Sequence, residues 1–138
     1  MPGKAPRADL AGRGEPFSAF WSERHLCTLT TVRSDGTPHV VPVGVTLDLG
    51  TATARVITSR GSYKARLVAA AGPGGAPVAV CQVDGRRWST LEGRAVIRDD
   101  PDEIADAEHR YAQRYRAPRQ NPERVVIEIE VTRILGNV

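Results

Sequence analysis

The chain has 138 residues, of which 41% are hydrophobic and 25% charged, the size and balance of one globular domain rather than a disordered, collagen-like or coiled-coil protein. No apolar run approaches the ~20 residues of a membrane-spanning helix, and the N-terminal residues lack the apolar stretch of a secretory signal. Two cysteines do not form a disulfide framework, so we expect a reduced, cytoplasmic protein. The net charge of +3 requires neither a nucleic acid nor a membrane partner.

Arginine dominates the positive charge of the chain. All but Lys4 and Lys64 of its 19 cationic residues are arginine. The planar guanidinium suits carboxylates and phosphates, so this composition is compatible with an anionic small ligand. Codon bias of a GC-rich genome is an equally good explanation of the arginine excess.

The first residues differ in texture from the rest of the chain. Residues 1–14 are rich in Gly, Pro, Arg and Ala without periodicity, and we expect a flexible leader there. The remainder, 15–138, is expected to form one domain. A short helix over residues 16–24 is predicted because Phe17, Phe20 and Trp21 fall on one helical face.

Turn signals then separate a series of short strands. The Asp35-Gly36 pair predicts a hairpin between the first two strands. Pro42 has no N–H to donate, which predicts that the second strand lies at a sheet edge or bulge. The predicted strands cover residues 26–32, 39–47, 52–58, 77–83, 87–97 and 125–135, and the remaining predicted helices cover 63–71 and 102–116.

Six strands joined mostly by hairpins predict a mainly β protein with a six-stranded antiparallel sheet. Strands this short usually close into a small barrel, which removes exposed edges. Val40, Val41, Val43 and Val45 do not alternate with polar residues. A second apolar face therefore needs cover, most simply from a second copy of the chain.

Several common signatures of catalysis are absent from the sequence. There is no glycine-rich dinucleotide loop, no Walker loop and no nucleophile elbow. The three histidines and two cysteines do not have the spacing of zinc ligands, so no metal is predicted. The residues assign no catalytic side chain.

The strand-to-helix turn at residues 57–64 is the strongest local candidate for a binding site. Thr58, Ser59, Ser62 and Lys64 surround a glycine at the start of a predicted helix, where unpaired N–H groups favour anions. These residues suit a phosphate group. An ordinary helix cap at Gly61 or Ser62 with an exposed lysine is the alternative.

Two further segments carry candidate residues. Gln82 is an amide within a buried-looking strand and Trp88 begins the next strand, which suits a ring ligand with carbonyl groups. A packed tryptophan and an exposed glutamine are the alternative. Arg110 and Arg114 share one face of the last helix. A solvated helix face is the default there, and a basic rim for an acidic ligand is the other interpretation.

The order and spacing of these segments resemble one family. The run Asp35-Gly-Thr-Pro-His-Val-Val-Pro-Val, the segment 56–64 and the strand pair carrying Gln82, Trp88 and Glu92-Gly-Arg-Ala are similar to the pyridoxamine 5′-phosphate oxidase-like, split β-barrel flavin and deazaflavin family. The resemblance covers about residues 16–136. The Glu92-Gly-Arg-Ala step and the distal helix with Arg110-Tyr111 and Arg114-Tyr115 look closest to its coenzyme F420-dependent branch. Within that branch, the strings at 82–88 and 110–116 resemble the subgroup that reduces biliverdin.

This resemblance implies a homodimer of six-stranded split barrels with two cofactor sites at the interface. Many relatives carry an asparagine three residues after the lysine, where this chain has Leu67. The implied cofactor-binding residues are His39, Val40, Val41, Pro42, Val43, Thr58, Ser59, Arg60, Gly61, Ser62, Lys64, Gln82, Arg87 and Trp88. If the acceptor is biliverdin, its two propionates could be received bidentately by Arg110, Arg114 or Arg116, which are the candidate substrate-binding residues.

The implied function is an F420-dependent reductase that transfers a hydride from reduced deazaflavin to a conjugated acceptor such as biliverdin. The absence of a catalytic triad agrees with this, because the cofactor carries the difficult chemistry and the protein orients it. An FMN-dependent oxidase or reductase on the same fold is one alternative. A non-catalytic protein that binds flavin or products of haem breakdown is the other.

Overall fold

Seven strands and three α-helices make up most of the fold in a computed structural model that describes residues 5–138. The helices are Glu15–Ser22 (α1), Tyr63–Ala70 (α2) and Pro101–Arg114 (α3). The strands are Cys27–Val32 (β1), Pro38–Val43 (β2), Thr46–Asp48 (β3), Thr53–Ser59 (β4), Ala76–Asp84 (β5), Arg87–Arg98 (β6) and Arg124–Gly136 (β7).

The strands form one antiparallel sheet in the order β2-β1-β5-β6-β7-β4-β3. Its two edge strands, β2 and β3, follow each other in the chain with only residues 44 and 45 between them. The sheet must therefore curl until its edges are neighbours. The result is a barrel that is open along one line, which we call the seam. The predicted mainly β, antiparallel fold is confirmed.

The predicted number of strands is wrong for the described residues, which form seven strands and not six. The single strand expected over residues 39–47 is broken at Gly44. A Cβ atom there would lie 2.9 Å from Cε2 of Tyr111, so the chain bends where α3 leaves no room for a side chain. The prediction for Pro42 is confirmed, since β2 pairs only with β1.

The helix before the first strand is built as the periodicity predicts. Phe17, Phe20 and Trp21 are the buried residues of α1, and the indole N–H of Trp21 donates to Ser89 Oγ at 3.0 Å. Their side chains join a core of strand residues whose members include Leu29, Leu91, Val80, Ile127 and Ile129.

Residues 5–14, the described part of the segment before α1, do not form the expected flexible leader. Leu10 is only 1% exposed and belongs to the core, and residues 11–13 form a short 3₁₀ helix. The amide of Ala8 donates to the carbonyl of Val131 at 2.9 Å. Apolar burial thus fixes this segment against the barrel despite its composition. Residues 1–4, including Lys4, lie outside the described part of the chain.

Caps define the starts of the other two helices. Ser62 accepts a hydrogen bond from the amide of Ala65 at 3.3 Å and begins α2. Asp100 accepts from the amide of Asp102 at 3.1 Å and begins α3. The α3 helix ends at Arg114, two residues before its predicted end. Within the described residues, no helix has the length and apolar character to cross a membrane.

Candidate functional site

The turn between β4 and α2 brings together four of the predicted site residues. The Thr58 hydroxyl donates to Ser62 Oγ at 3.0 Å. Ser59 Oγ accepts from the side-chain amide of Asn121 at 2.8 Å. Ser62 caps α2, as the alternative interpretation of this turn expects, and Lys64 lies in the first turn of that helix. We call Thr58, Ser59, Ser62 and Lys64 the hydroxyl–lysine corner.

Lys64 supplies the positive charge of this corner. Partial burial lowers its pKa, and no acidic side chain of the described residues compensates that loss of hydration. Arg60 differs, because its guanidinium lies 3.6 Å from Asp99 and 3.8 Å from Glu123. A bound anion would therefore find Lys64 without a competing carboxylate and Arg60 already paired.

An aromatic ring connects the corner to the edge strand β2. The Tyr63 ring meets the His39 ring edge to face, with the ring centroids 4.8 Å apart. The guanidinium carbons of Arg66 and Arg33 lie 5.5 and 6.0 Å from the centroid of Tyr63. Neither arginine is in an ion pair within the part of the chain that is described. We call Arg33, Tyr63 and Arg66 the arginine–tyrosine platform.

Sequence reasoning missed this platform. Arg33 directly follows β1, and Thr31 pairs with His39 across the first hairpin. Arg33 lies close to the start of α2 because α2 packs beside β1. The hairpin register alone does not reveal this proximity. The hairpin was predictable from Asp35-Gly36, whereas the position of the helix was not.

Strand β2 presents its residues alternately to two sides. Pro38, Val40 and Pro42 are exposed, whereas His39, Val41 and Val43 are partly or fully buried. A proline in an edge strand lies where an N–H would point away from the neighbouring strand. Val40 is two residues from both Pro38 and Pro42, so its N–H is expected to point to the open edge of the sheet as well. Of the five candidate ring-contact residues at 39–43, either the exposed pair at 40 and 42 or the inward set at 39, 41 and 43 can contact a ligand with side chains, but not both.

Gln82 is buried and serves the interior of the barrel. It is 1% exposed, and its side-chain amide donates to the carbonyl of Phe20 at 2.7 Å. Its Oε1 accepts from the Cys27 thiol and from Nη2 of Arg114. The amide therefore has its partners within the protein, which corrects both the expected contact with a ring ligand and the alternative of an exposed glutamine.

Arg114 is likewise not available to a substrate, contrary to the expectation. It is 9% exposed, and its donors go to the carbonyls of Glu23 and Val45 as well as to Gln82. Arg110, on the same helix, lies 2.9 Å from Asp106 and 3.5 Å from Asp48. Of the three candidate substrate arginines, only Arg116 is both exposed and free of an ion pair within the described residues.

Arg87 lies between two acidic residues, Glu23 and Asp84. Its Nη2 is 2.9 Å from Glu23 Oε1 and 2.6 Å from Asp84 Oδ2. The hydrogen bond with Arg87, together with one from His25, lowers the pKa of Glu23 to about 2. Glu23, His25 and Asp84 have ligand atoms within 4.8 Å of one another, but the guanidinium already neutralises the two carboxylates.

Exposed apolar side chains lie on the part of the outer face formed by β2, β1 and β5 and by the hairpin between β5 and β6. Val40, Thr30 and Ala79 are neighbours across β2, β1 and β5, and Val83 pairs with Trp88 at the next hairpin. Among these, Val40 is 56%, Val83 65% and Trp88 40% exposed. A groove of about 470 Å³ runs along this face. Apolar residues of β1 and β5 line one side of this groove, and residues of β6 and β7, among them Glu92, Arg94 and Arg133, line the other.

The fold and the hydroxyl–lysine corner define a class that sequence comparison identifies. A family model described as pyridoxamine 5′-phosphate oxidase matches residues 15–137. The chain therefore belongs to the pyridoxamine 5′-phosphate oxidase family, and the family resemblance drawn from its motifs is confirmed.

Individual relatives narrow the comparison. The chain is 58% identical over 119 residues to an F420H(2)-dependent biliverdin reductase of Mycobacterium tuberculosis (strain CDC 1551 / Oshkosh), covering 86% of this chain and 84% of that protein. A solved structure described as an F420 reductase has a TM-score of 0.69 and 25% identity, covering 88% of this chain and 98% of the other. A conserved hypothetical protein of Mycobacterium tuberculosis shares the fold, with a TM-score of 0.74 and 22% identity over 94% of this chain and 87% of that one.

Proposed function

We propose that this protein is an F420-dependent reductase that transfers a hydride from the reduced deazaflavin to a conjugated acceptor, with biliverdin as the acceptor. The observation that carries the proposal is the 58% identity to an F420H(2)-dependent biliverdin reductase over most of both chains. The bound cofactor supplies the hydride chemistry, and the protein binds and orients it.

The hydroxyl–lysine corner fits the phosphate end of this cofactor. Three hydroxyls and a half-buried ammonium without a carboxylate partner are a donor set suited to an oxyanion, since charge-assisted hydrogen bonds are the strong ones. The start of α2 adds its own unpaired N–H groups. Gly61 carries no Cβ, and nothing lies within 4 Å of the place where one would be, so the turn is open to a ligand.

The anionic tail of F420 fits the arginine–tyrosine platform beside this corner. Arg33 and Arg66 are held over Tyr63 by cation–π contacts, which orders their side chains before a ligand arrives. FMN ends in a single phosphate and would leave the platform unused. Arg60 stays paired with Asp99 and Glu123 and contributes less than its position in the motif suggests.

The ring of the cofactor is placed along β2. The strand has a free edge, and Val40 offers an N–H on that side for a ring acceptor. The side chains of Val40 and Pro42 flank the same space. Gln82 and Arg87 are bonded elsewhere, so they act on the ring only through the residues they hold.

The active form is a homodimer with two cofactor sites. Support comes from the exposed valines of the outer face and from the apolar side of its groove along β1 and β5, which a second copy would cover. A second copy would also bring a Trp88 side chain, 40% exposed on that face, towards the site of its partner. The acceptor then reaches the ring from the side that remains open.

The two propionates of biliverdin need cations outside the cofactor site. Arg116 is exposed and has no ion pair within the described residues, so it is the best placed of the candidate substrate arginines. Arg110 already pairs with Asp48 and Asp106, and Arg114 is buried. We assign Arg116 to propionate binding.

Two measurements test the function. Titrations of F420 and FMN against tryptophan fluorescence compare the cofactors, and the reduced deazaflavin is then supplied with biliverdin while oxidation of the cofactor is followed. We expect tighter binding of F420 and hydride transfer to biliverdin. Tighter binding of FMN with oxidase activity would favour the FMN alternative. Tight binding of F420 or biliverdin without turnover would favour a non-catalytic binding protein.

A further inference from the structure

The seam of the barrel is held by the last turn of a helix that lies far away in sequence. Val45, between β2 and β3, is fully buried. Its amide donates to the hydroxyl of Tyr115 at 3.1 Å, and its carbonyl accepts from Nη1 of Arg114 at 2.6 Å. Two consecutive side chains thus satisfy both backbone polar groups of one residue.

Close packing reinforces these hydrogen bonds. A Cβ atom on Gly44 would lie 2.9 Å from Cε2 of Tyr111 and 3.1 Å from Cε2 of Tyr115. The two tyrosine rings lie with their centroids 5.0 Å apart. The end of α3 therefore packs directly against residues 44 and 45, which join the two edge strands. This packing restricts the backbone there to one path.

Arg114 extends the same contact into the barrel. Its Nε donates to the carbonyl of Glu23 at 2.8 Å, and Gln82, its third partner, also binds the carbonyl of Phe20. The guanidinium meets an amide and two carbonyls rather than a carboxylate. A buried charge is costly unless such bonds hold it in place, so the fork of Arg114 is fixed in one geometry.

We propose that Arg114 and Tyr115 are positioning residues that set the course of β2, the strand placed along the cofactor ring. As an edge strand, β2 is bonded to β1 alone, so its exit towards β3 depends on this helix. At its other end His39 contacts Tyr63, next to the hydroxyl–lysine corner. The part that concerns the cofactor rests on the proposed function; the restraint on the seam does not.

A pair of matched variants tests the restraint without any ligand. Tyr115→Phe removes the hydroxyl that bonds Val45 and the carbonyl of His25 but keeps the ring against Gly44. Tyr111→Phe removes a hydroxyl from the same helix turn that bonds nothing within the described residues. Amide hydrogen exchange in the apo-protein should be at least about fivefold faster over residues 38–46 in Tyr115→Phe, because the loss of the hydrogen bond to Val45 alone is expected to have that effect. Tyr111→Phe should match the wild type.

Ligand affinity then separates positioning from mere stabilisation. F420 is compared with its deazaflavin ring fragment, which lacks the phosphate and the tail. Tyr115→Phe should weaken both by the same factor of about three to five, whereas Lys64→Ala should weaken F420 alone. A purely structural role would lower the melting temperature and leave both affinities unchanged at 25 °C.

The outcomes distinguish the two proposals. Unchanged exchange in Tyr115→Phe overturns the restraint, and faster exchange with an unchanged affinity for the ring fragment overturns the positioning role. A wild-type protein that binds neither F420 nor the fragment overturns the proposed function, while the exchange data still judge the restraint. Arg114→Lys is the second variant, since it keeps the charge and loses the fork; it should give the same pattern as Tyr115→Phe.

Discussion

His39 and Tyr63 meet edge to face across two elements, with their ring centroids 4.8 Å apart. His39 lies in the edge strand β2, and Tyr63 is the first residue of α2, one position before Lys64. The strand proposed to hold the ring and the corner proposed to hold the phosphate are therefore in direct contact. A ligand that spans both would bind a preformed surface.

Replacing Lys64 should weaken cofactor binding far more than it destabilises the protein. A charge-assisted hydrogen bond to phosphate contributes about 1.5–3 kcal/mol, so Lys64→Ala should raise the Kd of F420 about 10- to 150-fold. The melting temperature of the apo-protein should change little, because Lys64 has no ion-pair partner in the described part of the chain. Val68→Ala, a core variant of the same helix, is the comparison. A Lys64→Ala protein that melts as early as Val68→Ala but binds F420 normally would contradict the role.

Cofactor affinity should fall at alkaline pH before an ordinary lysine would titrate. Burial lowers the pKa of Lys64 in the free protein, and a bound phosphate would raise it again. Binding is thus strongest below the pKa of the free protein and weakens as the pH rises through it. Titrations of F420 between pH 7 and pH 10 measure this. Lys64→Arg is the control, since its charge persists over that range and its affinity should stay level.

The arginine–tyrosine platform should distinguish F420 from FMN. Removing both Arg33 and Arg66 should weaken F420 binding and reduce its salt dependence, while FMN binding changes little. Exposed charges are screened within about 8 Å at physiological ionic strength, so added salt should imitate the double variant. Arg60→Ala is the matched control, because that guanidinium already pairs with Asp99 and Glu123. Equal losses for both cofactors would place the tail elsewhere.

A charge on the outer face of the sheet should separate the two copies. Val32 is 44% exposed and lines the groove on that face. Val32→Glu should shift sedimentation from a dimer to a monomer, since an isolated carboxylate is costly to bury. Ala105→Glu places the same charge on the exposed side of α3 and should stay dimeric. A wild-type protein that sediments as a monomer at micromolar concentration would refute the dimer.

Arg116 should affect the acceptor and not the cofactor. Because Arg116 is exposed, its contact with a propionate should be worth about 0.2–1 kcal/mol, which raises KM for biliverdin by a factor of roughly 1.4 to 5 in Arg116→Ala. The Kd of F420 should not change. Arg119→Ala, an exposed arginine three residues later, should leave both constants unaltered. If Arg119→Ala raised KM for biliverdin more than Arg116→Ala does, the propionate contact would be assigned to Arg119 instead.

Local patterns predicted most of the fold. The helical face of Phe17, Phe20 and Trp21, the turn at Asp35-Gly36 and the edge position of Pro42 all rest on neighbours in sequence, and the structure agrees with them. The break at Gly44 was not predictable, because it arises from Tyr111 and Tyr115 at the end of α3, about 70 residues away. The burial of Leu10 was missed for a similar reason, because Leu10 packs against residues of the barrel and not against its neighbours in sequence.

The site divides along the same line. The four residues of the hydroxyl–lysine corner lie close together in sequence, so a single turn brings them together, as the structure shows. Gln82 was taken for a ligand contact because a buried amide needs partners, and Arg114 because an arginine can bind a propionate of the acceptor. They are each other's partners, a pairing that depends on how α3 crosses the barrel. The residue types predicted that the side chains of Gln82 and Arg114 would form hydrogen bonds, but they did not predict the partners.

The order of the strands has a consequence for how the chain folds as it is made. β7 follows the other six strands in sequence but lies in the middle of the sheet, between β6 and β4. Until residues 124–136 have emerged from the ribosome, β4 is without its longest neighbour and the far side of β6 is bare. Pairings between distant residues form slowly and leave strand edges open to other chains in the meantime. Nascent chains stalled before Arg124 should therefore depend on chaperones, and release of β7 should be the event that ends this dependence.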